Sequence, residues 1–181
     1  MKALLAVPLA AFLTVGLCSC KGSDSSSSPS PSVVYAEQSV VPAHEGFHSE
    51  GEHMVAHDSE SVVAGARGVK VTITQPKQSA TFTFDTPTSS QFSECTYRFV
   101  GQIFVCTRSG DQNLVYNLNL TDNSLAAVVD HEGKNISEQL KADGSWDQAQ
   151  ADMVATKEAI DSYMHDHFHM DIKEAILNPP A

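Results

Sequence analysis

A regular alternation of apolar and polar residues between 69 and 129 is the feature that most limits how this chain can fold. In the segment VKVTIT at 69–74, every second residue is a branched aliphatic. A period of two separates the side chains onto the two faces of a strand, so this segment predicts a β-strand with one buried face. Similar short segments, separated by turn residues, occur at 82–84, 95–99, 103–106, 114–120, 125–129 and, more weakly, 136–140. Consecutive short strands of this kind predict an antiparallel β-meander or an up-and-down, barrel-like sheet.

A helical pattern replaces the alternation near the C-terminus. Apolar residues recur at helical spacing over 146–168, which predicts a helix that covers one face of the sheet. The apolar stripe degrades where His167 takes an apolar position. Two pairs, Ser145 with Gln148 and Asp171 with Glu174, match the capping box that begins a helix. The sequence therefore predicts an α+β, mainly β, fold with a C-terminal helix.

The first twenty residues have the composition of an export signal. Lys2 precedes a mostly apolar run, which ends in Leu17-Cys18-Ser19-Cys20. This segment resembles the type II signal peptides of bacterial lipoproteins, in which Leu lies three residues before the lipid-modified Cys and a small residue directly precedes it. The resemblance implies lipidation of Cys20, with fatty acyl chains such as palmitate, and a position in the cell envelope, at the outer membrane if the cell is Gram-negative. An ordinary secreted protein and an uncleaved anchor are the alternatives.

Composition divides the chain into four segments. Residues 1–19 are the expected signal peptide, and residues 20–42 are the expected lipidated N-terminus with a Ser/Pro-rich tether. Residues 43–66 are polar and rich in His and Glu, which predicts a loop or an irregular segment. Residues 67–181 contain the alternating segments and the helical pattern, and they are the expected β-domain.

Charge and cysteine content limit the partners and the compartment. The formal net charge is −11, and nucleic-acid binding needs a clustered positive surface, so nucleic acid is not an expected partner. Cys95 and Cys106 follow the signal, and an even pair in an exported domain predicts a disulfide. A two-residue turn at 101–102 would place the cysteines diagonally, whereas a four-residue turn centred between Val100 and Gly101 would place them directly opposite each other.

Histidines are the candidate metal ligands, because seven of the eight in the chain form two clusters. Neutral imidazole binds zinc, copper and nickel, so the clusters predict a zinc or other transition-metal site if the fold brings them together. Carboxylates from Glu45, Asp58 and Asp161 are possible additional ligands. The candidate histidines are His44, His48, His53 and His57 in the first cluster and His165, His167 and His169 in the second.

One stretch of the first cluster matches a short catalytic motif. His44, Glu45 and His48 fit the H-E-x-x-H pattern of zinc metalloproteases, in which two histidines bind zinc and the glutamate is the general base. That motif needs a rigid helix, whereas this stretch contains Gly46 and follows Pro42. We interpret the match as chance and predict no enzymatic activity.

These observations predict a membrane-anchored cell-envelope lipoprotein with a non-enzymatic binding or structural role. Its expected partner, besides the membrane, is an envelope protein or a small ligand, and no cofactor other than a transition metal is expected. Metal binding through the histidine clusters is one alternative function. A lipocalin-like carrier of a small apolar ligand is another, if the sheet closes into a roomy barrel lined by aromatic side chains. The strand aromatics otherwise form the core; they include Phe82, Tyr97, Phe104 and Tyr116.

Overall fold

Eight antiparallel strands and three helices form the part of the chain that a computed structural model describes, residues 46–86, 91–110 and 113–178. The strands are β1 (His48–Glu50), β2 (His53–Asp58), β3 (Val69–Thr74), β4 (Ser79–Phe84), β5 (Phe92–Arg98), β6 (Ile103–Arg108), β7 (Leu114–Asn119) and β8 (Leu125–Val129). The helices are α1 (Ser137–Ala142), α2 (Trp146–Phe168) and α3 (Ile172–Leu177). Each strand pairs with the next, so the sheet is an open meander in the order β1 to β8. The predicted α+β, mainly β, class is confirmed.

Several sequence predictions concern residues outside these ranges. The expected signal peptide at 1–19, the lipidation site Cys20, the tether at 20–42 and the histidine His44 all lie there. Among the residues that are described, no helix combines the length and the apolar character needed to cross a bilayer.

The alternation decides which side chains enter the core. In β3, Val71 is fully buried, whereas its neighbours Lys70 and Thr72 are half-buried. Val71 pairs with Phe82 of β4, and Phe82 pairs with Cys95 of β5, so one face stays continuous across the sheet. We call the face that carries these three residues the inner face, and the opposite one the outer face.

Helix α2 crosses the inner face from the β8 side to the β2 side. Near its start, the side chain of Gln150 accepts a hydrogen bond from the backbone N–H of Leu125 at 3.1 Å. Near its end, the hydroxyl of Tyr163 donates to Asp58 of β2 at 3.4 Å. Three fully buried residues of α2 belong to the same core as the strands: Met153, Ile160 and Met164. Burying each such side chain contributes roughly 1.5–3 kcal/mol, so the contact between α2 and the sheet is a major source of stability.

The two cysteines form the predicted disulfide. Cys95 and Cys106 are direct cross-strand partners with Cα atoms 4.2 Å apart. The four residues 99–102 connect the two strands, so the directly opposed register is the correct one of the two that the sequence allowed. Both cysteines are fully buried on the inner face, which places the bridge inside the core.

The predicted loop or irregular segment at 43–66 is wrong for residues 48–58, which form the β1–β2 hairpin. Pairing with β3 places Ala56 and Asp58 on the inner face and Val55 on the outer face. An acidic residue therefore faces inward and an aliphatic one faces outward, so the alternation that predicts a strand is hidden in this sequence.

The expected weak strand at 136–140 is also wrong, because these residues belong to α1 and the turn before it. Only Asn135 extends the sheet, through a single bridge to Val129. The hydroxyl of Ser137 accepts a hydrogen bond from the backbone N–H of Val128 at 3.0 Å. The Ser137 side chain therefore takes the place of a ninth strand as the hydrogen-bond partner of this β8 N–H group.

The two predicted capping boxes differ in outcome. Asp171 is the N-cap of α3, and its carboxylate accepts a hydrogen bond from the backbone N–H of Glu174 at 2.7 Å. Ser145 precedes α2, but its hydroxyl donates to Asp143 and makes no capping bond. The capping box at the start of α2 is therefore absent, while a side-chain cap at the start of α3 is present.

Candidate functional site

The described histidines of the first cluster lie on the outer face of the β1–β2 hairpin. The rings of His48 and His57 are nearly parallel, with centroids 6.3 Å apart. His48 Nε2 lies 3.0 Å from Glu50 Oε1, and this hydrogen bond lowers the pKa of the Glu50 carboxyl below its usual value. His53 Nδ1 is hydrogen-bonded to Thr74 Oγ1 at 2.9 Å.

These three histidines surround Val55. Val55 is 1% exposed although it is not part of the core cluster. His53 and His57 flank it along β2, and His48 is its cross-strand partner. Because an imidazole has an apolar body and a polar tip, the three rings can shield Val55 while their nitrogens stay near solvent.

His48 is the first residue of β1 and is not part of a helix. Its proposed partners in the short catalytic motif, His44 and Glu45, lie outside the described residues. That the motif has no catalytic role stays a prediction.

The second histidine cluster spreads over different surroundings at the end of α2. His165 and His169 are both exposed, and His169 ends the helix in a left-handed conformation with φ of 54°. His167 points toward the body of the protein, and its Nε2 atom lies 2.8 Å from Glu60 Oε2. His167 separates from His165 and His169 because residues two apart on a helix do not share a face.

One group of potential metal ligands is present among the described residues. It consists of Asp58, Glu60 and His167, whose ligand atoms lie within 4.8 Å of one another. Asp58 ends β2 and is 6% exposed. Burial, followed by the charge and hydrogen bond of Asp58, raises the pKa of Tyr163 above its usual value, so Tyr163 is a neutral donor to this group.

The pleat of β2 separates this group from the first histidine cluster. His57 and Asp58 are adjacent, so their side chains leave the strand on opposite faces. Asp58 and His167 are thus the two residues named from the sequence that meet in this group, and Glu60 was missed. Nothing in the local sequence indicates that the chain turns back after β2 and brings Glu60 toward α2.

A groove of about 410 Å³ lies between α2, the β2–β3 connection and the ends of β5 and β6. Most of its lining is apolar, and the side chain of Gln91 closes one part by donating to the backbone carbonyl of Ala64. The volume falls within the range of small-molecule sites. The apolar lining residues are Val62, Val63, Ala64, Phe92, Ala155 and Ala159.

Arg108 and Asp152 form the polar end of this groove. Arg108 Nη2 lies 3.3 Å from Asp152 Oδ2, and the guanidinium group lies over the rings of Phe92 and Tyr116 at 4.8 and 5.2 Å. The Nε atom of Arg108 is buried and makes no hydrogen bond to the described residues. Gln148 donates to the other carboxylate oxygen of Asp152 at 2.7 Å. The opposite charges of the pair offset each other, so this end of the groove is polar but carries little net charge.

The strand aromatics belong to the core. Tyr97 and Phe104 have ring centroids 4.5 Å apart. The side chains that would line the interior of a carrier are at most 3% exposed and pack in the common core with α2: Phe82, Tyr97, Phe104 and Tyr116. The interior that a carrier would keep open for its ligand is therefore filled by side chains.

Comparison with known proteins provides no relative from which a function can be transferred. No protein-family model, curated protein or solved structure matches this chain. Function is therefore inferred from the residues and their geometry alone.

Proposed function

We propose that this chain is a cell-envelope lipoprotein that is anchored through lipid on Cys20 and has a non-enzymatic binding or structural role. The observation that carries the proposal is the sequence Leu17-Cys18-Ser19-Cys20 at the end of an apolar run, ahead of a Ser/Pro-rich tether. Each buried methylene of an acyl chain contributes about 0.8 kcal/mol, so two or three chains would hold the domain at a membrane surface.

The fold is compatible with this location. The disulfide between Cys95 and Cys106 suits an oxidising compartment outside the cytoplasm. The tether would let the β-domain move above the lipid head groups while it remains attached. Both features support an exported domain but name no ligand.

Metabolic labelling with radioactive palmitate tests the anchor. We expect label in the wild-type protein and in Cys18→Ser, because Cys20 is the modified residue. Cys20→Ser should carry no label. An unlabelled wild-type protein, or a labelled Cys20→Ser variant, would contradict the proposal.

A second candidate function is the binding of a small apolar ligand, and the groove beside α2 favours it. The apolar lining suits the body of such a ligand, and the free donor hydrogens of Arg108 suit one acceptor oxygen. Because Asp152 already offsets the charge of Arg108, the ligand is expected to be neutral.

A neutral fluorescent probe, N-phenyl-1-naphthylamine, tests this candidate. Ala159 lines the groove, so Ala159→Phe should fill it and abolish the rise in probe fluorescence. Ala151 lies on the exposed side of α2 and does not line the groove, so Ala151→Phe is the matched control and should keep the signal. Equal fluorescence from both variants would exclude the groove as the binding site.

A further inference from the structure

The group formed by Asp58, Glu60 and His167 lies where the β2–β3 connection meets the last turn of α2. The backbone N–H of Glu60 donates to Asp58 Oδ1 at 2.9 Å, which turns the chain directly after β2. This turn directs the Glu60 side chain toward α2, where Oε2 comes within 2.8 Å of His167 Nε2. Three potential metal ligands from two separate parts of the chain therefore converge.

Tyr163 contacts two of these three ligands and helps to orient them. Its hydroxyl donates to Asp58 Oδ2 at 3.4 Å, and its ring lies 4.8 Å from the ring of His167. Tyr163 and His167 are one helical turn apart, so both act from the same face of α2. Neighbours that orient ligands in this way are typical of the outer shell of metal sites.

The charges of the group favour a cation. Two carboxylates lie close together, and Asp58 is 6% exposed, so a positive charge placed between them would stabilise both. A protonated His167 supplies one positive charge. A divalent ion supplies two and leaves the imidazole neutral, which is the form that binds metals.

We propose that Asp58, Glu60 and His167 bind one divalent transition-metal ion, with Zn²⁺ as the ion that best fits one imidazole nitrogen and two carboxylate oxygens. Three protein donors leave a position for water or for a group from a ligand. The ion joins the β2–β3 connection to α2 and therefore stabilises the folded state. This site is independent of the lipid anchor and of the groove, so each can fail without the others.

Competition with a chromogenic zinc indicator, using the detergent-solubilised full chain freed of metal by a chelator, tests the proposal. We expect wild-type protein to bind zinc, and His167→Ala to lower the affinity at least about tenfold, since even outer-shell changes cost that much. His165→Ala is the matched control, because it removes an exposed histidine two residues away on the same helix. Its zinc affinity should equal that of the wild type.

A second variant covers the case in which His167→Ala does not fold. Asp58→Asn keeps the shape of the side chain and removes its charge, so circular dichroism should show a folded protein that has lost the site. Zinc should raise the melting temperature of the wild type and of His165→Ala but not of Asp58→Asn. The proposal is overturned if wild-type protein shows no zinc binding. It is also overturned if Asp58→Asn binds zinc as tightly as the wild type, which would assign the ion to exposed histidines.

Discussion

Tyr97 joins the sheet to α2 through one hydroxyl group. It is 2% exposed, and its hydroxyl is shared between Asp161 Oδ1 at 2.9 Å and the backbone oxygen of Lys157 at 3.2 Å. The pKa of Tyr97 is raised above its usual value, mainly by burial and then by the charge and the hydrogen bond of Asp161. Tyr97 is therefore a neutral donor in the folded state.

Replacing Tyr97 by Phe removes only this hydroxyl group. We expect Tyr97→Phe to lower the free energy of unfolding by about 1–2 kcal/mol, because a charge-assisted hydrogen bond between the sheet and α2 is lost. Urea denaturation followed by circular dichroism measures the change. Val100→Ala is the control, since Val100 is 70% exposed and its truncation should change stability little. Equal effects of the two variants would mean that the hydroxyl contributes nothing.

The same tyrosine should make stability fall at alkaline pH. The unfolded chain begins to lose the Tyr97 proton near pH 10, whereas the folded state keeps it because its pKa is raised. Above about pH 10 the unfolded state therefore binds fewer protons, and the free energy of unfolding decreases as pH rises. Below that pH this contribution is fully present. Denaturation between neutral and alkaline pH should show the decline, and Tyr97→Phe should make it shallower.

Among the three residues of the proposed metal site, His167 is the one that the sequence marked as a polar side chain at an inward position. It interrupts the apolar stripe of α2, and the structure places it against Glu60 at 2.8 Å. A polar residue at an inward position indicates a polar partner but does not identify it. Glu60 could be found only once the path of α2 across the sheet was known.

Helices α2 and α3 begin in different ways, although both sequences predict a capping box. The carboxylate of Asp171 accepts a hydrogen bond from the backbone of Glu174, whereas Ser145 makes no capping bond. Gln148, the expected partner of Ser145, instead donates to Asp152 at 2.7 Å. A local hydrogen bond between residues four apart in α2 thus uses the Gln148 side chain, and Ser145 bonds to Asp143 instead.

This difference predicts unequal effects of two alanine substitutions. Asp171→Ala should lower the free energy of unfolding by about 1 kcal/mol, because the first turn of α3 loses its cap. Ser145→Ala should change it by less than about 0.5 kcal/mol, as for an ordinary surface position. Thermal unfolding of both variants measures the difference. A larger effect at Ser145 would contradict the assigned roles.

Strands β3 to β8 were predictable because most of their apolar residues face one side at every second position, although a β-bulge interrupts the alternation in β5 and in β8. In β2 that signal is inverted, since Asp58 faces inward and Val55 faces outward. Asp58 is tolerated there because Tyr163 donates to it from α2. The partner of an inward acid is set by tertiary packing, so local periodicity cannot predict this strand.

The disulfide between Cys95 and Cys106 is a covalent restraint that can be removed by reduction, so its contribution to stability can be measured. Cys95 and Cys106 are separated by 11 positions, and closing a loop of this size contributes roughly 3 kcal/mol in the chain-entropy model. Chemical denaturation with and without dithiothreitol should therefore give midpoints that differ, with the reduced protein less stable. A Cys95→Ala/Cys106→Ala double variant should unfold at the same denaturant concentration under both conditions, and a difference there would assign the effect to another cause.

The order of the strands along the chain has a consequence for biogenesis. Because every strand pairs with its predecessor, the sheet can grow hairpin by hairpin as the polypeptide is synthesised. The helices, including α2 on the inner face, follow all eight strands along the chain and are therefore made last. A prematurely terminated copy, which lacks these helices, would thus expose an adhesive apolar surface and be prone to aggregation.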